Sequence, residues 1–200
     1  MKKVITIIPA YNEEKTVSCV VSAAKKYSDE VVVIDDGSVD LTGKNAEMAG
    51  AVVVSNGKNK GLGVSVRRGY EEALRRGADI VVQIDADDQY VASDIPKLVK
   101  PVAEGRADMV IASRFLGGIE QMSLAKRVGN CVFTFLTNVV AGTRLSDAQS
   151  GFRAIDKRII KRIMPSEPRG YTHETLIKAA RAKVRIFEVP SYFRARQCGG

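Results

Sequence analysis

Residues 79–89 read DIVVQIDADDQ. The first six form a short, β-branched apolar run, the pattern of a buried strand. Asp85, Asp87, Asp88 and Gln89 then crowd its end. In open α/β sheets, ligands bind beyond the carboxyl ends of the strands. Hard oxygen donors gathered there suit Mg2+ or Mn2+, which usually hold a substrate's phosphates. A turn alone needs one Asp or Asn, so this density points to a metal–diphosphate site, with an acidic turn as the plain alternative.

The surrounding chain repeats the strand-then-helix rhythm. Strands are predicted at Lys3–Ile8, Glu30–Ile34, Ala51–Ser55, Ile80–Ile84 and Met109–Ser113. Between them, Glu13–Tyr27 carries an apolar face at Val17, Val20, Val21 and Ala24. Helices are also predicted at 40–49 with Asp40 as N-cap, at Gly63–Arg76 stopped by Gly77, and from Ser93 or Asp94 to Glu104. This alternation predicts an α/β fold with a mostly parallel central sheet and helices on both faces. Beyond 115 the rhythm breaks. Met122–Ala141 reads as a long helix with few charges, Gly151–Ile155 as a short strand, and 157–163 and 173–182 as helices. Val184–Val189 and Pro190–Arg194 are strand-like to extended. With no repeat or linker, one domain over 1–200 is expected.

Composition is that of a soluble globular chain: 45% hydrophobic, 27% charged, net charge +8. The excess lies wholly in residues 151–200, which hold 12 basic and 4 acidic side chains against 19 of each in 1–150. Such a tail suits an anionic membrane or a phosphorylated substrate. It carries no zinc-finger spacing, aromatic RNA-binding pattern or helix-turn-helix, so no nucleic-acid partner is expected. Cys19, Cys131 and Cys198 are odd in number and scattered. Cys19 and Cys131 read as small core residues, and a reducing compartment is expected. No signal-peptide pattern opens the chain. The longest apolar stretch, Val128–Gly142, is too short to span a bilayer and is interrupted by Asn130 and Asn138. This helix has two readings: core packing, or an interfacial helix resting Val132, Phe133, Phe135, Leu136 and Val139 among lipid headgroups beside Lys126 and Arg127. His173, the only histidine, lacks partners at ligand spacing and reads as a surface or packing residue.

Three further strand ends are polar. After the first comes PAYNEE (9–14), where Tyr11 offers a ring to stack on a base and Asn12-Glu13 doubles as an ordinary helix start. After the second comes DDGS (35–38), whose carboxylates can accept from a base or a ribose. After the third, NKGLG (59–63) opens a helix and favours an anion. It fails as a dinucleotide fingerprint, because Val66 replaces the third glycine and the strand is not the first.

PAYNE (9–13), VIDDGS (33–38), NKGLG (59–63), DADDQ (85–89), ASRF (112–115) and DAQSGFR (147–153) together resemble the family 2 glycosyltransferases of GT-A fold. More narrowly, they resemble the polyprenyl-phosphate group that includes dolichol-phosphate mannose synthases. The resemblance implies a donor half, 1–115, and an acceptor half, 116–200. In the donor half Pro9, Tyr11, Glu13, Asp35, Asp36, Lys60, Gly61, Asp85 and Ala86 would bind the nucleotide, Asp36 more than Asp35 reading the base. Asp85, Asp87 and Gln89 would hold Mg2+ or Mn2+. Asp88 stands where relatives often carry an apolar residue. Arg114, Arg127, Gln149, Ser150 and Arg196 would meet an acceptor phosphate, the last from a segment similar to FxxRxxG at 193–199. Asp87, Asp147, Arg114 and Arg153 would serve the chemistry.

The implied reaction is inverting transfer of mannose or glucose from GDP-mannose or UDP-glucose to a polyprenyl (dolichyl) phosphate, by a peripheral protein at the cytoplasmic face of the cell membrane. A phosphate acceptor needs arginines to align it more than it needs a base. For a saccharide hydroxyl acceptor, Asp147 would be the first candidate base. A non-catalytic sugar-nucleotide sensor would need no acceptor arginines. Because the family's segment continues into Ser-Lys, a catalytic domain truncated at Gly200 is also expected.

Overall fold

The computed structural model describes residues 2–195. Arg196, expected at the acceptor, and Cys198 lie outside them. The chain order is β1 (Val4–Ala10), α1 (Val17–Ala24), β2 (Glu30–Asp35), α2 (Thr42–Met48), β3 (Val52–Ser55), α3 (Leu62–Arg75) and β4 (Ile80–Gln83). A 3-10 turn (Ala92–Asp94) leads into α4 (Ile95–Ala103), β5 (Met109–Ser113), α5 (Arg114–Gly117), β6 (Gly118–Ile119) and α6 (Leu124–Ala141). Then come β7 (Arg153–Asp156), α7 (Lys157–Ile163), α8 (Tyr171–Arg181) and β8 (Ile186–Phe193).

One eight-stranded sheet runs β3-β2-β1-β4-β7-β5-β8-β6. All its pairings are parallel except those of β7, which is antiparallel to both β4 and β5. The central strands are buried on both faces, which is why they read as unbroken apolar runs. Alternate residues feed two cores. Val4, Ile8, Val31 and Val33 pack with α1 and α4, while Ile5, Ile7, Val32 and Ile34 pack with α3, α7 and α8. Gly69 lets α3 lie close on β1 and β2: a Cβ there would stand 2.8 Å from Ile7 Cδ1.

Several expectations shift. The first strand runs on to Ala10, and α1 starts only at Val17, because residues 14–16 are spent in a turn. Cys19 and Cys131 are exposed, not core. The buried face of α1 is Val17, Val20, Val21 and Ala24, and Cys19 falls off that stripe. The two extended segments after 184 are one strand, β8. Pro190 sits at its last pair with β5, and pairing with β6 follows from Tyr192, so the missing N–H falls where β8 changes partner.

The largest departure is α6. Ser123 Oγ caps it by accepting from Lys126 N–H (3.3 Å), and Gly142 at φ +66° ends it. Its buried residues are Thr134 and Thr137, while Val132, Phe133, Phe135, Leu136 and Val139 are all exposed. Core packing of that apolar face is therefore wrong. Among the described residues, no helix is long and apolar enough to cross a membrane.

Candidate active site

Because β1, β2 and β4 are parallel and in register, their carboxyl ends open on one edge of the sheet. There, Pro9, Ala10, Tyr11, Glu13, Asp36, Gly61, Asp85, Ala86 and Asp87 surround a cavity of about 350 Å3. Tyr11 stands at its rim, 45% exposed. The structure thus gathers most of the residues expected around a nucleotide. It leaves out two. Asp35 turns away, its Oδ1 accepting from Ser38 N–H (3.0 Å) and its Oδ2 lying against Gly43. The side chain of Lys60 lines a separate groove with Arg67 and Arg68.

The expected anion site at NKGLG has a different occupant. Asp36, nearly fully buried, accepts from the N–H groups of Lys60 (3.0 Å) and Gly61 (2.9 Å) and from Asn56 Nδ2 (2.7 Å). Gly63 N–H donates to Pro168 O (2.9 Å). The protein's own carboxylate is the anion at this helix start, and it anchors the loop. Asn56 in turn accepts from Arg68 (2.7 Å).

Asp85 lies beneath this cavity with Oδ1 buried and no hydrogen bond to it from the described residues. Burial, then the Asp87 carboxylate, push its carboxyl up to about 7, against the opposing pull of Arg153 and Arg114. Gly151 packs on it so closely that a Cβ would come within 2.7 Å of Asp85 Oδ2. An orphaned buried carboxylate oxygen beside a second carboxylate fits a hard divalent cation. Among the described residues no three His, Cys, Asp or Glu side chains are placed so that together they could hold a metal ion. Mg2+ commonly takes only one or two protein carboxylates and completes its shell with phosphates and water. Gln89, the third expected ligand, lines the neighbouring cavity instead, and its Nε2 donates to Arg194 O (3.2 Å). Asp88, at φ +58°, points to Arg194 Nη1 (3.5 Å).

That second cavity, about 590 Å3, is lined by Gln89, Arg114, Gln121, Lys126, Asn130, Phe133, Gln149 and Phe193, with Met122, Ser123 and Gly129. Arg114 is 8% exposed and grips Asp147 with both teeth, Nε to Oδ2 at 2.6 Å and Nη2 to Oδ1 at 2.7 Å, while its guanidinium sits 5.1 Å from the Phe193 ring centroid. Asp147 also accepts from the N–H groups of Arg114 (3.1 Å) and Gln149 (3.2 Å). With no exposure and four donors on two oxygens, it cannot serve as the acceptor's base, which corrects that expectation.

Two more corrections concern the DAQSGFR loop. Arg153 is fully buried and donates to the carbonyls of Ser150 (2.8 Å), Ala148 (3.3 Å) and Thr172 (3.4 Å), so it scaffolds the loop and does not meet an acceptor. Ser150 is likewise buried, its Oγ donating to Tyr90 OH (3.3 Å). On α6 it is Lys126, not the exposed Arg127, that reaches the cavity lining. His173 bonds Thr137 Oγ1 through Nδ1 (2.8 Å) between α8 and α6, the packing place of the two expected.

Two contributors escape a reading of motifs. Tyr90 OH accepts from Gly151 N–H (3.0 Å) and ties the two acidic loops together. Glu188, in the middle of β8, accepts from Ser146 N–H (2.8 Å), Ser146 Oγ (2.9 Å) and Asp147 N–H (3.0 Å). Tyr90 follows DADDQ directly and was within reach; Glu188 looks like any outward residue of a strand.

The sequence pattern of glycosyl transferase family 2 matches residues 5–164. The chain belongs to this family. Its relatives include the UDP-N-acetylglucosamine–dolichyl-phosphate N-acetylglucosaminyltransferase of Methanococcus voltae, 34% identical over 94% of this chain and 84% of that one. The undecaprenyl-phosphate mannosyltransferase of Micrococcus luteus is 29% identical over 98% and 86%. A glucosyl-3-phosphoglycerate synthase from Mycobacterium tuberculosis, solved with Mn2+, UDP-glucose and phosphoglyceric acid, superposes with a TM-score of 0.80. It is 25% identical and covers 100% of this chain and 73% of that one. This family 2 glycosyltransferase therefore has the GT-A fold, with the described cavities at the mouth of its sheet.

Proposed function

We propose that this glycosyltransferase moves a hexose from a nucleotide diphospho-sugar to a polyprenyl phosphate, inverting the anomeric centre. The observation that carries this reading is the lining of the second cavity. It holds Arg114 and Lys126 and, among the described residues, no carboxylate. An acceptor that fits there is an anion and arrives already ionised. Asp147, which contacts the lining residue Arg114, is consumed in holding it. The relatives from Methanococcus and Micrococcus, named for dolichyl and undecaprenyl phosphate, support the same acceptor class.

Residues 1–115 would form the donor half and 116–200 the acceptor half of a single catalytic domain. Tyr11 would stack on the base, while the buried face of Asp36 holds the loop that shapes its pocket. Asp85 and Asp87 would hold Mg2+ or Mn2+, a cation that offsets charge on the departing diphosphate when bound. Arg114, fixed by Asp147 and by the Phe193 ring, would present its remaining N–H groups to the acceptor phosphate, and Lys126 would add charge from α6. The acceptor oxygen would then approach the anomeric carbon from the side away from the leaving group. A lipid acceptor would put the reaction at a membrane, and a nucleotide-sugar donor would favour its cytoplasmic face.

Calorimetric titration of GDP-mannose, UDP-glucose and UDP-N-acetylglucosamine, with and without Mn2+, tests the donor side. A short-chain polyprenyl phosphate in detergent tests transfer. Metal-dependent binding of one donor, lost in Asp87→Ala, and transfer lost in Arg114→Ala are expected. Absence of metal-dependent binding for every donor would overturn the reading.

A further inference from the structure

We propose that the outward face of α6 is a docking surface for an anionic lipid bilayer. The helix is built inside out for a soluble protein. Its inward face is polar because it bonds the acceptor loop: Thr134 Oγ1 accepts from Ala148 N–H (3.2 Å), and Asn138 exchanges hydrogen bonds with Leu145 N–H (2.9 Å) and Leu145 O (2.8 Å). Its outward face is apolar. At about 100° per residue, Leu124, Val128, Val132, Phe135 and Val139 fall on one narrow stripe. All are more than half exposed. A continuous stripe of this kind marks an interaction site, unlike single exposed apolar residues elsewhere.

Charge selects the occupant. From Leu124 to Ala141 the helix has no Asp or Glu, and its only charges are Lys126 and Arg127; exposed Arg144 follows its end. A second copy of the same face would bring these cations against each other, whereas anionic headgroups would neutralise them. The surface is also continuous with the candidate acceptor cavity, since Lys126, Gly129 and Phe133 line that cavity from the same helix. Docking through α6 would therefore turn the mouth of the cavity toward the lipid. The orientation rests on the lipid-acceptor reading above, but the docking itself is a property of the helix.

The test uses the full chain and vesicles containing no polyprenyl phosphate, so its outcome is independent of transfer. Vesicles of phosphatidylglycerol and phosphatidylcholine should co-sediment the protein, and binding should weaken with salt and with phosphatidylcholine alone. The double variant Phe135→Asp, Val139→Asp should lose at least about tenfold in vesicle affinity. Val39→Asp, an exposed apolar site near the sheet edge, should lose nothing. Exposed Cys131 on α6 and exposed Cys19 on α1 allow a readout in single-cysteine variants, the other two cysteines changed to Ser in each: a polarity-sensitive dye on Cys131 should shift to the blue with vesicles, and one on Cys19 should not. Failure of the wild type to bind anionic vesicles, equal binding by the double variant, or no spectral difference between the dyes would overturn the proposal. So would a dimer in sedimentation that the double variant dissolves while vesicle binding stays intact. Donor calorimetry on the same samples separates these failures from failure of the transferase reading.

Discussion

Asp85 shows how a single buried oxygen sets the conditions under which the site works. Its carboxyl, pushed up to about 7 from an ordinary 3.8 by burial and by Asp87, is protonated in the folded protein over a range where the unfolded chain is ionised. The folded state binds the extra proton, so stability of the metal-free protein should fall as pH rises from about 4 to about 7. Asp85→Asn removes that loss. In urea unfolding without metal, its stability should exceed that of the wild type at pH 8 by an amount on the order of 1–4 kcal/mol, and match it near pH 4. A wild-type advantage at pH 8 without metal would contradict this. The same proton must leave when a cation binds, so Mn2+ affinity should drop about tenfold per pH unit below 7. Calorimetry in buffers of different ionisation enthalpy would count the released proton. At Arg114 the pairing is directional. Arg114→Lys keeps the charge and loses the fork, and should raise the acceptor KM with at least about a tenfold loss in kcat/KM while donor affinity is unchanged. Asp147→Ala would leave a buried guanidinium alone and cost about 3–5 kcal/mol in urea unfolding.

At the scale of elements, the first half of the fold was legible because each strand there is a buried parallel strand and each helix carries one apolar stripe. The loops that follow β1, β2 and β4 are where the motifs said a site would be, and Tyr11, Glu13, Asp36, Asp85, Ala86 and Asp87 from them share one cavity. Local reading failed where a residue's partner is distant. Asp36 reads like a ligand contact and spends most of its carboxylate on the loop 25 residues on. Arg153 sits in a motif suggestive of an anion site, yet its charge is buried against three carbonyls. The α6 helix has the composition of a core helix and the opposite orientation, which only its hydrogen bonds to Leu145 and Ala148 explain. Glu188 is the sharpest case, a strand residue that holds the acceptor loop from beneath. Glu188→Gln retains one acceptor oxygen for three donors and should cost about 1–3 kcal/mol. If the loop positions Arg114 through Asp147, the acceptor KM should also rise while donor binding holds. An unchanged acceptor KM in a folded variant would leave Glu188 with stability alone.

Across the whole molecule, the excess of positive charge in the last quarter is paired with carboxylates more than the sequence suggests, mostly on side chains that stay exposed. Lys157 pairs with Asp79, Arg158 with Asp156, Lys178 with Glu174, Arg185 with Asp108 and Arg194 with Asp88, while Arg153 is in the core. Much of that charge joins the C-terminal quarter to the rest of the sheet and to its own helices. The antiparallel strand β7 completes the connection. Because it runs against β4 and β5, the loop entering it, 147–152, arrives at the edge where the 85–89 loop leaves, and Gly151 meets Asp85 there. Donor and acceptor cavities thus belong to one cooperative sheet, and occupancy of the first should steady the second. A donor with Mn2+ at a hundred times its Kd should stabilise the protein by about 2.7 kcal/mol. For a domain of this size that is about 5–10 °C in a single melting transition. Amide exchange at Gly151–Ile155 should slow along with that of the 85–89 loop. Tyr90→Phe, which deletes the hydroxyl that accepts from Gly151 N–H, should keep most of the thermal shift yet lose the added protection at Gly151. Two separate melting transitions, or protection confined to residues before 115, would show that the halves respond independently.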